Sequence, residues 1–239
     1  MIMPKASLIA LALLAACAAA HADLKVVQTT RIDNPQLKAY EETMTPQQKA
    51  QMAHSGNPLF QSGPQQTTVY VHGTQTRADI GSLTYLIDGA AHKTTTLNRR
   101  NHTYSVQPYH ALAAGSGTKV VVKATGQTKT IAGHLTRRYL LTTTLASQPG
   151  TVIQGDIYAA PDVPQPPLLS TGAGPFAVLQ SQFRKVKGYP LSSILTITGS
   201  PLGNTTVATS VVSVSKAPLP ASLFSVPAGY TKAAAENGG

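Results

Sequence analysis

The stretch from Lys187 to Tyr230 narrows the possible folds of this chain more than any other. Two runs rich in Thr, Val and Ile, Leu191–Thr198 and Thr205–Val214, are separated by Gly199-Ser200-Pro201-Leu202-Gly203-Asn204. β-branched side chains lose rotamer freedom in a helix and pack well on a pleated surface. With a Gly/Pro/Asn cluster between them, the two runs read as a β-hairpin. The segment that follows holds Pro218, Pro220 and Pro227, which exclude a helix interior. It reads as an extended strap, pinned by Leu223, Phe224 and Val226.

The same logic runs backwards along the chain. From Gln65 the apolar period is two: Thr67–Gly73, Thr76–Ile80 and Leu83–Asp88 lead to a hairpin turn at Asp88-Gly89. Ala91–Leu97 then pairs across Asn98-Arg99-Arg100-Asn101 with His102–Gln107, which predicts a meander. Lys119–Thr125, Thr128–Ala132, Leu135–Leu145 and Thr151–Ala160 add further strands, and Asp23–Ile32 is the first. Helices are few and short. Asn34-Pro35 caps and starts one, with Leu37, Tyr40 and Met44 on one face. Thr45-Pro46-Gln47-Gln48 is a capping box opening a second over Pro46–Ala53. Phe176–Val186 carries helical spacing, after a proline-rich loop or linker at Pro161–Pro175. Charged residues are only 12% and Trp is absent, which suits strand faces and an aliphatic core.

Residues 1–22 read as an export leader. Lys5 precedes a short apolar run, Ser7–Ala16, too short to span a bilayer, and Ala20-His21-Ala22 fits cleavage before Asp23. Leu14-Ala15-Ala16-Cys17 resembles a lipobox, which would instead make Cys17 a lipidated N-terminus. Cys17 is the sole cysteine, so no intramolecular disulfide forms. The expected compartment is therefore the periplasm, with outer-membrane lipoprotein as the alternative. Residues 23–232 then form one β domain and 233–239 a frayed tail. The net charge of +10 favours anionic partners such as lipid head groups, or it simply keeps a sparsely charged surface soluble.

Catalytic patterns are missing from the sequence. It holds no Gly-x-Ser-x-Gly elbow, no P-loop and no dinucleotide turn. Beyond the leader, the histidines (His54, His72, His92, His102, His110, His134) have no metal-ligand spacing. The expectation is a protein that is not an enzyme and needs no metal or cofactor. Basic residues cluster at Arg99-Arg100, Arg137-Arg138 and Arg184-Lys185-Lys187, but neighbours on a strand face opposite ways, which argues against one nucleic-acid groove.

Thr130-Ile131-Ala132-Gly133-His134 with Tyr139, then Lys187-Gly188-Tyr189-Pro190, then Leu219-Pro220-x-Ser222-Leu223-Phe224-x-Val226-Pro227-x-Gly229-Tyr230, follow one another in order. Together they resemble the bacterial envelope family called domain of unknown function 4412. Many relatives carry a cysteine near the position of Thr136, and its absence removes any redox role there. That family is similar in fold to the lipoprotein carriers LolA and LolB. The resemblance implies a mainly β (α+β) fold: a curved antiparallel half-barrel with two or three short helices as a lid. It also implies a lipid or other hydrophobic ligand in the cavity. Inward-facing candidates are Val69, Val71, Tyr85, Ile87, Leu141, Ile153, Ile157, Leu195 and Ile197. The alternative is a structural or sensory envelope module, with the same residues filling a closed core and a protein as partner.

Overall fold

The computed structural model describes residues 23–49, 63–108, 119–144, 150–165, 185–200 and 203–233. The leader, Cys17, the tail beyond 233 and nearly all of the expected Phe176–Val186 helix lie outside them. The strands are β1 (Leu24–Asp33), β2 (Gln65–His72), β3 (Gln75–Ile80), β4 (Leu83–Asp88), β5 (Lys93–Asn98) and β6 (Thr103–Pro108). They continue as β7 (Lys119–Ile131), β8 (His134–Thr144), β9 (Val152–Ala160), β10 (Tyr189–Thr198), β11 (Thr205–Ser215) and β12 (Thr231–Lys232). The helix α1 (Pro35–Thr43) follows β1.

All twelve strands join one curved, open sheet in the order β12-β6-β5-β4-β3-β2-β1-β11-β10-β9-β8-β7. Every neighbouring pair is antiparallel except β12, which lies parallel to β6. Two meanders, β2 to β6 and β7 to β11, are thus joined through the pairing of β1 with β11. Side chains alternate across the pleat, so register sorts them into two faces. One face, the core face, buries Leu24, Val26, Val69, Val71 and Ala78 at one end and Leu141, Ile153, Ile157, Leu195 and Val207 at the other.

The Lys187-Gly188-Tyr189-Pro190 turn shows how local sequence sets this core. Gly188 has φ +90°, and a Cβ there would overlap the Ala160 carbonyl oxygen. Only a glycine brings β10 back this close to the end of β9. Tyr189 is then buried, with its hydroxyl donating to Gln28 Oε1 at 3.1 Å. Burial pushes its phenol well above the ordinary value.

The strap crosses the opposite face. The Leu219 amide donates to Asp23 Oδ2, and the Phe224 ring lies 5.8 Å from that of His72. Arg77 Nη1 donates to the Leu223 carbonyl at 3.1 Å within a single 3-10 turn, Ala221–Phe224. The chain ends its crossing as β12, with His102 edge-on to Tyr230 at 5.4 Å. Between these points it passes β4 and β5, and Thr84, Leu86, Thr95 and Leu97 on that face are buried. The expected strap is therefore present, and its end is a strand.

Asp23 anchors the start of the strap, with His72 Nδ1 2.6 Å from its other oxygen. The Leu219 amide first, and the His72 contact after it, hold this carboxyl below its ordinary range against the opposing effect of burial. A depressed carboxylate stabilises the fold above its unfolded pKa, and that contribution is lost as pH falls through the lower folded value. The strap is therefore expected to loosen below about pH 4. Amide exchange at Leu219 as a function of pH measures this, and Asp23→Asn should flatten the profile. An exchange rate unaffected by that substitution would refute the anchor.

Three expectations need correction. Asn34 does cap α1, its Oδ1 accepting from the Leu37 amide at 2.8 Å. Yet α1 buries no side chain and Tyr40 is 58% exposed, so the Leu37/Tyr40/Met44 face does not pack as a lid. The capping box at Thr45 forms, but only residues 46–49 of the second helix are described. Lys119–Thr125 and Thr128–Ala132 are one strand, β7, interrupted by a bulge that takes up Gly126 at φ +80°. At Asp88-Gly89 the loop holds four residues, because Asp88 Oδ1 accepts the Ala91 amide and His92 takes the left-handed position.

Candidate ligand-binding face

The nine residues expected to line a cavity all lie on the core face. Val71, Thr76 and Ile87 form one row across β2, β3 and β4, and Val69, Ala78 and Tyr85 form the next. Across the seam, Leu141, Gly155 and Leu195 form a row, and Ile153 sits opposite Ile197. Ile157 is two residues beyond Gly155 on the same face. Val26 and Ile32 of β1 connect the halves through Val69 and Val207. Eight of the nine are buried, and Tyr85 is half-buried. Burial raises the Tyr85 phenol above its ordinary value, keeping it neutral.

Burial on this face is graded. The aliphatic rows of β8 to β11 are closed. Towards β4, β5 and β6, Tyr85, Thr94, Thr96, Thr103 and Ser105 become half-exposed. From β1 to β6 this face carries no charged strand residue; Lys25, Arg31, Arg77, Asp79, Asp88 and Lys93 all alternate to the other side. The hydroxyls of Thr76, Thr94 and Thr143 are buried without a hydrogen-bond partner. Register places all three on the core face, opposite Val71, Gln107 and Ile153 respectively. The sequence reading missed them, since a threonine in a strand is ordinary until its neighbours are known.

The other candidate groups are scattered. Arg138 pairs with Asp156 at 2.7 Å on the strap-side face, while Arg137 beside it is exposed. They do point opposite ways, as the pleat requires. Arg99 donates to the Gly81 carbonyl and so belongs to its turn. His134 and Asp162 pair at 2.6 Å, and Lys216 Nζ donates to the Asp162 carbonyl, tying β8 and β11 to the loop after β9. With the His72–Asp23 pair, these histidines fasten chain segments together. Among the described residues no cluster of His, Cys, Asp or Glu has metal-binding geometry, and no helix is long and apolar enough to cross a membrane.

Against known proteins, neither the family models nor the curated proteins give a match, so the envelope family resembled in sequence gains no support there. Among solved structures, the chain aligns with the crystal structure of the LolA superfamily protein NE2245 from Nitrosomonas europaea. The alignment covers 85% of this chain and 90% of that one, at 9% identity and a TM-score of 0.32. A likeness this loose supports no functional conclusion.

Proposed function

We propose that this is a non-enzymatic cell-envelope protein that binds a lipid or another hydrophobic ligand on the core face of its half-barrel. One observation carries the reading: two apolar clusters on one face of the sheet, uncharged from β1 to β6, beside a half-exposed hydroxyl-lined margin. Apolar walls with a few neutral polar groups are what a lipid site requires. The leader-like residues 1–22 would deliver it to the periplasm, or Cys17 would anchor it to the outer membrane. Its excess of basic residues would favour anionic head groups over neutral surfaces.

A second reading is an envelope module that binds a protein, with the core face filled. The deep burial of eight candidate residues favours it, as do exposed Leu140, Ile194 and Val212 on the half of the opposite face away from the strap. Native mass spectrometry of protein isolated from its host envelope, followed by organic extraction, decides between them. A co-purifying lipid on a chain beginning at Asp23 or at an acylated Cys17 supports the carrier. A bare protein that takes up neither fatty acid nor phospholipid when challenged refutes it.

A further inference from the structure

We infer that the quarter of the core face around Ile87 is a subsite for a neutral acyl ester, selecting against free fatty acids. The inference rests on the lipid-binding reading above and names the ligand class. Thr76, Ile87 and Thr94 form one row across β3, β4 and β5, with Val71 beyond Thr76. The two threonine hydroxyls flank the Ile87 side chain, two strand spacings (roughly 10 Å) apart. Both are buried and neither has a partner.

A buried hydroxyl without a partner is unfavourable, so two in one row, on one face, ask for a group to bind. A threonine hydroxyl donates one hydrogen bond and accepts others, and an ester carbonyl accepts one without carrying charge. Val69, Val71 and Ile87 beside them supply the apolar wall for an alkyl chain. A carboxylate is the wrong head for this place. No strand residue on this face from β1 to β6 bears a positive charge, and an unpaired carboxylate would have to leave water without compensation. The half-exposed margin of Tyr85, Thr96 and Ser105 adjoins the row and is itself neutral and hydroxyl-lined.

The test compares cis-parinaric acid with its methyl ester, two fluorescent probes that share one chain and differ in charge, on the purified full-length protein. The wild type should prefer the ester. The double substitution Thr76→Val/Thr94→Val keeps side-chain shape and removes both hydroxyls. It should weaken the ester about fivefold, the equivalent of one net hydrogen bond, and leave the acid unchanged. In the absence of probe the same variant should melt higher than the wild type, because two unpaired hydroxyls are gone. Ester and acid binding alike, with the variant indistinguishable, would mean that the hydroxyls hold water only; the subsite then falls while the lipid reading stands. A lower melting point for the variant would show that the hydroxyls have protein partners and would also overturn the subsite. Neither probe binding the wild type would overturn both.

Discussion

Gly188→Ala should lower the unfolding free energy by more than about 3 kcal/mol, or abolish folding altogether. Two effects add. The backbone at Gly188 is left-handed at φ +90°, which penalises any Cβ by about 1–2 kcal/mol. The new methyl would also overlap the Ala160 carbonyl and crowd Pro161, which are backbone and ring atoms that cannot rotate away. Relief requires β9 and β10 to part where Tyr189, Ala160 and Val163 are buried together. Gly229→Ala is the control. It has φ +87° and open space around the added carbon, so only the conformational penalty remains. Denaturant midpoints of the two variants measure the difference, and equal losses would remove the close approach as the reason for this glycine.

Leu195→Ala should cost about 3 kcal/mol, and Ile194→Ala next to it less than about 0.5 kcal/mol. The two occupy adjacent positions on β10 but opposite faces, 6% and 51% exposed respectively. Leu195 closes over Gly155, whose missing side chain gives it room: a Cβ there would sit 2.9 Å from Leu195 Cδ2. Removing the leucine leaves a void between Leu141 and Val207 that the sheet backbone cannot close. Chemical denaturation of both variants provides the comparison. Similar losses would mean that the face opposite the core is covered near Ile194.

Strand positions were legible because the period-two alternation in β2, β9 and β10 is clean, and the same alternation put the nine apolar candidates on one face. β4 was harder to read. Leu83-Thr84-Tyr85-Leu86-Ile87 is apolar on both sides, since the strap covers one face and the core face occupies the other. The seam between β1 and β11 leaves no mark in the sequence, because its partners are separated by most of the chain. The same is true of His72 with Asp23 and of Arg77 with Leu223: each side chain looks unattached until the fold brings its partner across. The unpaired threonines are the clearest case. Composition offers many equivalent hydroxyls, and only register separates Thr76, which faces the core, from Thr84, which faces the strap side and reaches Asp79.

The pairing of β1 with β11 also governs the order of events during synthesis. The β2–β6 meander is complete once residue 108 has emerged, but β1 has only one of its two neighbours until residue 215 follows. The Asp23–Leu219 tie comes later still. A nascent chain must therefore carry a half-paired first strand for more than half its length. Such long-range closure folds slowly, and the sheet is whole only when the last of its central strands has been made.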